Sequence, residues 1–182
     1  MTNLFNILLR RGLITKIYPE SIEFRERLRT IISKPTTIYT GFDATAPSLH
    51  VGNLATIINS LYFQAHGHQV ICVIGDATTQ IGDPSGHNCD RLKLDKAVIR
   101  QNVISIEGTL KQIFNNFNRH FCQTGMFSTN IDNRTKLKEP MIIRNSEWYE
   151  DRNVIEFVSN VFREVRVGWM LHKKSIQDRL NT

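Results

Sequence analysis

The sequence predicts an α/β fold, a Rossmann-like parallel sheet flanked by helices, and three observations predict it. Thr37 to Phe42 is rich in β-branched and aromatic residues and carries no charge, as a strand does. From Leu54 onward, Leu54, Ile57, Ile58, Leu61 and Ala65 recur at helical spacing. Gln69 to Ile74 is then a second strand, with the continuous apolar run of a strand buried on both faces. Strand, helix, strand in that order is a crossover joining a parallel pair.

The remaining elements follow in order. Leu4, Phe5 and Leu8 share one face of a first helix, and Gly12 is its C-terminal stop. Met1 to Gly12 therefore reads as structure rather than as a presequence, although Arg10 and Arg11 leave targeting open. Ser21 to Ser33 is a second helix, with Ile22, Leu28, Ile31 and Ile32 expected on its buried face, and Lys34-Pro35 ends it. Gly67 stops the helix between the strands. Gly75 to Asp90 reads as loop, punctuated by Gly75, Gly82, Pro84 and Gly86. Leu92 to Phe121 returns to helical period, with Val103, Ile106, Leu110, Ile113, Phe117 and Phe121 as a core stripe. Gln123 to Glu139 is polar and irregular, and Met141 to Ile143 is a short strand. Asn153 with Glu156 resembles a capping box opening a helix through Val154, Phe157, Val161 and Val165. A last helical segment, Trp169 to Leu180, bears His172, Lys173, Lys174 and Arg179, best read as a solvated basic face. As domains, 1–35 carries the N-terminal helices and 36–182 a partial Rossmann-like nucleotide-binding fold.

The polar turn between the first strand and its helix holds the chemistry. A helix N-terminus offers free backbone N–H groups and a favourable dipole to an anion. Thr45 and His50 are donors able to reach phosphate oxygens, and Asn53 can both donate and accept. Gly41 lets a ligand approach the backbone, and Gly52 opens the helix so that a nucleotide lies across its first turn. The plain alternative is an ordinary connection with a capping Ser48 and a satisfied His50.

Composition narrows the class. An apolar content of 41% with 22% charged residues is that of a soluble globular chain, and no apolar run approaches the ~20 residues of a bilayer span. A net charge of +6 favours a polyanionic partner. Cys72, Cys89 and Cys122 have no metal-binding spacing and read as reduced thiols, Cys72 in the core and Cys89 in a polar loop.

Gly41-Phe42-Asp43-Ala44-Thr45-Ala46 followed by Ser48-Leu49-His50-Val51-Gly52-Asn53 resembles the first signature of class I aminoacyl-tRNA synthetases of the tyrosyl type, bacterial and mitochondrial. Gly82-Asp83-Pro84-Ser85-Gly86 resembles that family's second element at its spacing, and the pair is far more specific than either alone. The resemblance implies ATP-dependent activation of L-tyrosine and transfer to tRNA(Tyr), with ATP as a substrate accompanied by Mg2+ and no tightly bound cofactor. It implies that Thr45 and His50 hold the β- and γ-phosphates, and that Asn53 and Gly52 meet the ribose region. Gly41 lies under the nucleotide, Thr40 near the ribose, and Asp43 against ATP or the amino-acid ammonium. Tyr39, Asp83 and Asn145 belong to the tyrosine pocket, and Arg91 closes on pyrophosphate. The partners implied are tRNA(Tyr), tyrosine and ATP, in a homodimer without membrane association, in the mitochondrial matrix or otherwise the cytoplasm.

Departures from the family pattern matter. Its proline after Gly-Phe-Asp is Ala44 here, expected to loosen the turn, and its loop lysine is His87, a weaker cation at pH 7. The resemblance runs from Leu4 to Arg179 yet covers only the first half of the family's catalytic domain; the acid that reads the phenol hydroxyl, the second lysine-rich signature and the tRNA-binding part have no counterpart. Lys173-Lys174 does not resemble that signature. The expectation is a truncated, poorly active chain whose half-sheet has an unpaired edge and an uncovered apolar face. Two other readings predict different behaviour. A non-catalytic RNA-binding or splicing-type module binds RNA without nucleotide exchange, and an unrelated ATP-binding α/β domain binds ATP without help from tyrosine.

Overall fold

Two short helices lead into the sheet in a computed structural model that describes residues 3–81, 94–124 and 137–180. In α1 (Leu4–Arg10) the Asn3 side chain accepts from the Phe5 N–H, and Leu4, Phe5 and Leu8 are buried as expected. Gly12 follows it at φ +67°, the left-handed stop that the sequence predicts. In α2 (Ile22–Ile31) the Ser21 hydroxyl accepts from the Phe24 N–H. The expected buried face of α2 is only partly right: Ile32, just past its end, is buried, but Ile22 is 85% exposed. Arg25 and Arg29 instead turn toward α1, their guanidinium carbons 5.9 and 5.2 Å from the Phe5 ring centroid. Arginine stems and cation–π contacts thus occupy the face that periodicity assigned to isoleucine.

β1 (Thr37–Asp43), α3 (Val51–Ala65) and β2 (Gln69–Gly75) form the predicted crossover, parallel from Thr37 opposite Gln69 to Asp43 opposite Gly75. Gly67 ends the α3 connection at φ +83°. β3 (Met141–Arg144) extends the sheet, parallel to β2 with Ile71 opposite Met141, and the strand order is β1-β2-β3. The long helix α5 (Lys96–Thr124) forms the second crossover. Phe42, Val70, Cys72 and Ile74 pack with Ile57 of α3 and with Ile99, Val103, Ile106, Leu110 and Phe114 of α5 in one core cluster. Both crossover helices therefore lie on the same face, as right-handed connections require when strand order runs one way. The Phe121 side chain, expected in this stripe, lies outside the described residues, as do Cys89 and Cys122.

Two segments differ from the sequence reading. Asp76 to Ile81, read as loop, is a helix, α4 (Asp76–Ile81), beginning directly at the end of β2. It is a single polar turn and a half with no apolar stripe to count; its geometry is held by tertiary hydrogen bonds described below. The helix expected from Val154 to Val165 ends earlier, as α6 (Val154–Asn160), followed by a 3₁₀ turn at Phe162–Glu164. Its start is as expected, with Asn153 accepting from the Ile155 and Glu156 N–H groups. The last helical segment begins before Trp169 and divides into α7 (Val167–Leu171) and α8 (Lys174–Leu180). None of these three buries a residue among those described, and helices this short rely on packing that they do not find here.

Candidate active site

The C-terminal ends of β1, β2 and β3 meet at one edge of the molecule, where parallel sheets place their ligands. Along β1 the side chains alternate. Thr40 and Phe42 face the helices, and Tyr39, Gly41 and Asp43 face the open side, where Tyr39 is 76% exposed. Thr40 is thus separated from its neighbours in the motif, its buried hydroxyl turned toward Cys72. Burial pushes the Cys72 thiol up to about 11, with the Thr40 hydrogen bond opposing, so this cysteine stays protonated and inert.

The β1–α3 turn is built from reciprocal bonds. His50 Nδ1 accepts from the Gly52 N–H at 3.1 Å, and Asn53 Oδ1 accepts from the His50 N–H at 3.0 Å. The helix cap is therefore His50 with Asn53, and Ser48 takes no part in it. With Nδ1 occupied as an acceptor, a neutral His50 ring carries its proton on Nε2, a donor left for a ligand. Thr45 is exposed beside it in the same turn.

Below the turn, three strand ends are tied together. Asn145, 4% exposed at the end of β3, accepts from the Ala77 N–H at 2.9 Å and donates to Thr78 Oγ1 at 3.1 Å. Thr78 Oγ1 shares its hydrogen between Asp43 Oδ1 and the Gly75 carbonyl, both at 3.2 Å. Asp76 Oδ1 accepts from the Ser146 and Ala77 N–H groups, each at 3.0 Å. Gly75 makes this possible, because a Cβ there would stand 2.4 Å from Asp43 Oδ1 and 2.5 Å from Thr78 Oγ1. Ala44 is not loosened: its N–H donates to Thr79 Oγ1 at 3.0 Å and its carbonyl accepts from Asn102 Nδ2 at 2.9 Å. Nearby, Arg144 donates to Glu107 Oε2 at 2.9 Å. The hydrogen bonds from Lys111 and Arg144 hold the Glu107 carboxyl below its usual range.

Of the residues picked out in the sequence, Asp43 and Asn145 are joined through Thr78, and His50, Gly52 and Asn53 through the cap. Asp83 and Arg91 lie outside the described residues. Asp76, Thr78, Thr79 and Asn102 escaped the sequence reading. The signal available for the first three was position alone, a polar run directly after a buried parallel strand. The arrangement presents an exposed carboxylate, a hydroxyl, an imidazole N–H and a helix N-terminus at the carboxyl end of β1 and the turn that follows it, a set that can hold an anion beside a cation. Two surface cavities lie elsewhere, about 580 Å³ between α1 and α2 and about 350 Å³ against Trp148 and Phe157.

A family profile described as tRNA synthetases class I (W and Y) matches residues 32–182, and the chain belongs to this family. Within it, the chain matches tyrosine–tRNA ligases. It is 36% identical over 173 residues to the mitochondrial tyrosine–tRNA ligase of Drosophila melanogaster, covering 94% of this chain and 36% of that protein. It is 34% identical over 182 residues to the tyrosine–tRNA ligase of Protochlamydia amoebophila, covering 100% of this chain and 37% of that one. The fold matches a C-terminally truncated mitochondrial tyrosyl-tRNA synthetase from Aspergillus nidulans with a TM-score of 0.80 at 24% identity, over 100% of this chain and 48% of that structure. The chain spans little more than a third of the length of the tyrosine–tRNA ligases it matches.

Proposed function

We propose that this chain provides the nucleotide- and amino-acid-binding crevice of a tyrosine–tRNA ligase, which activates L-tyrosine with ATP and passes the tyrosyl group to tRNA(Tyr). The observation that carries this reading is the exposed His50–Asn53 cap of α3, which follows β1 by one turn, together with the Asp43–Thr78–Asn145 network at the strand ends, both inside the segment that the family profile matches. In the first step the tyrosine carboxylate attacks the α-phosphorus of ATP and pyrophosphate leaves. No covalent bond to the protein forms, so catalysis is placement of two anions and stabilisation of charge on the leaving group.

The roles follow from chemistry. His50 Nε2–H and the Thr45 hydroxyl donate to the β- and γ-phosphates as negative charge grows there. Asn53 and the backbone at Gly52 hold the ribose region, and Gly41 gives the nucleotide room against β1. Thr40, turned to the helix side, acts through strand packing. Asp43 faces ATP or the ammonium of tyrosine, and Tyr39 lines the tyrosine side. Asp83 binds the ammonium, and Arg91 closes on pyrophosphate. Asn145, with both ends of its amide engaged, acts by holding Thr78. ATP enters as its Mg2+ complex; among the described residues no group of three or more His, Cys, Asp or Glu is placed to hold a separate ion. The mitochondrial names among its relatives and the basic charge support a location in the mitochondrial matrix. No described helix is long and apolar enough to cross a membrane.

The test is tyrosine-dependent exchange of labelled pyrophosphate into ATP by the purified chain, with ATP binding measured in parallel. The expected result is ATP binding that tyrosine strengthens, with exchange that depends on tyrosine. RNA binding with no response to ATP or tyrosine would overturn the assignment.

A further inference from the structure

Asp43 and Gly75 are the last facing pair of the β1–β2 ladder, and the direct pairing of the two strands ends there. In a continued parallel ladder the next rung would run from the Ala44 N–H to the Gly75 carbonyl. That rung is replaced by a side chain. The Ala44 N–H donates to Thr79 Oγ1 at 3.0 Å, and the same hydroxyl donates onward to the Gly75 carbonyl at 2.6 Å. One hydroxyl has one hydrogen and two lone pairs, so both bonds form at once. Ala44 is itself fully buried, and its carbonyl is taken by Asn102 Nδ2 at 2.9 Å. The residue between Asp43 and Thr45 is thus gripped from α4 on one side and α5 on the other. Asp43 is held in addition by Thr78.

The structure assigns Thr79 as a positioning residue of the phosphate-facing turn: its hydroxyl is a spacer rung that holds β1 and β2 apart by one side-chain oxygen and fixes where Asp43 and Thr45 point. This rests on the reading of that turn as the ATP site. It also accounts for Ala44, since a proline at this position has no N–H to give and the spacer would have nothing to hold. A serine at position 79 preserves the rung. A valine, of the same shape, leaves a buried N–H without a partner and removes one of the two hydroxyls that reach the Gly75 carbonyl.

The test uses Thr79→Ser and Thr79→Val in the natural chain and again with Ala44→Pro. Two quantities are read: hydrogen exchange at the Ala44 amide, and the dissociation constants of ATP and tyrosine. Thr79→Val is expected to speed Ala44 exchange and to weaken ATP by about three- to tenfold, the effect of one lost hydrogen bond, with a smaller loss of tyrosine binding through Asp43. Thr79→Ser keeps both values, and in the Ala44→Pro background Thr79→Val changes ATP binding no further. Equal losses for ATP and tyrosine, or an equal Thr79→Val effect in both backgrounds, overturn the proposal. If a variant does not fold, the natural chain decides: an Ala44 amide exchanging as fast as an exposed turn amide is fatal to the spacer. A natural chain that binds no ATP defeats the functional reading instead, and the exchange data still judge the rung.

Discussion

A methyl group at position 52 would stand 2.9 Å from His50 Cε1 and 3.0 Å from its Nδ1, nearer than packed atoms come. The imidazole lies on the space that this glycine leaves free, and from there it caps α3. Gly52→Ala therefore forces the ring aside. Losing the cap costs about 1 kcal/mol, and alanine returns about 1 kcal/mol through its better helix propensity, so the two nearly cancel. The expected outcome is a thermal midpoint close to that of the natural chain together with clearly weaker ATP binding, measured by calorimetry and titration. A variant that binds ATP normally would show that the ring position is irrelevant. At this scale the sequence was partly legible. The polar residues of the turn and the glycine at the helix start were visible from their order. The reciprocal cap was not, because histidine is not among the favoured capping residues and Ser48 was the conventional choice. Nor could Ala44 be judged: its two partners sit 35 and 58 positions away.

At the scale of elements, the start of the β1 strand is pinned by a buried imidazole from the turn before β2. His68, 1% exposed, accepts from the Thr36 N–H on Nδ1 at 3.2 Å and meets Phe63 edge to face. Burial lowers its pKa below the usual 6.5, helped by the charges of His66 and Lys138 and opposed by a hydrogen bond to the Ile32 carbonyl. His66 is lowered in the same direction, again first by burial. The folded chain thus binds fewer protons than the unfolded one. Stability is fully present above the ordinary histidine value and is lost as pH falls below 6.5 toward the depressed folded values. Urea midpoints are expected to drop between pH 7.5 and pH 5.5, and His68→Gln is expected to flatten that slope; a midpoint independent of pH would contradict this. The strands and α3 were legible because apolar runs and helical period report burial directly. α4 was not, because its order comes from Asn145 and the Gly75 carbonyl rather than from its own composition. The early end of α6 has the same cause in reverse, a sound cap followed by no packing.

For the whole molecule, the decisive feature is that α3 and α5 cover one face of the sheet only. The expected free edge is present among the described residues, since β1 has no outer neighbour, but the expected bare face is so only in part: Tyr39 and Met141 stand 76% and 51% exposed, while Val73 of the central strand is buried and Ile71 half-buried. Ile155, Phe162, Trp169 and Leu180 add further uncovered apolar surface after β3. Where such exposed apolar side chains cluster, contact with other surfaces is favoured. The hydrodynamic radius is expected to grow with protein concentration, and a fluorescent apolar dye should bind the native chain. A sedimenting mass fixed at 21.0 kDa across the whole concentration range would refute this.

The spacing of the strand ends has one more consequence. Because a threonine hydroxyl, and not a direct amide-to-carbonyl link, joins the first two strands at the mouth, the width of that mouth is set by two hydrogen bonds in series through one oxygen. Its dimension is chemical rather than elastic. Ligands of different girth will be sorted there by fit, with little give from the walls.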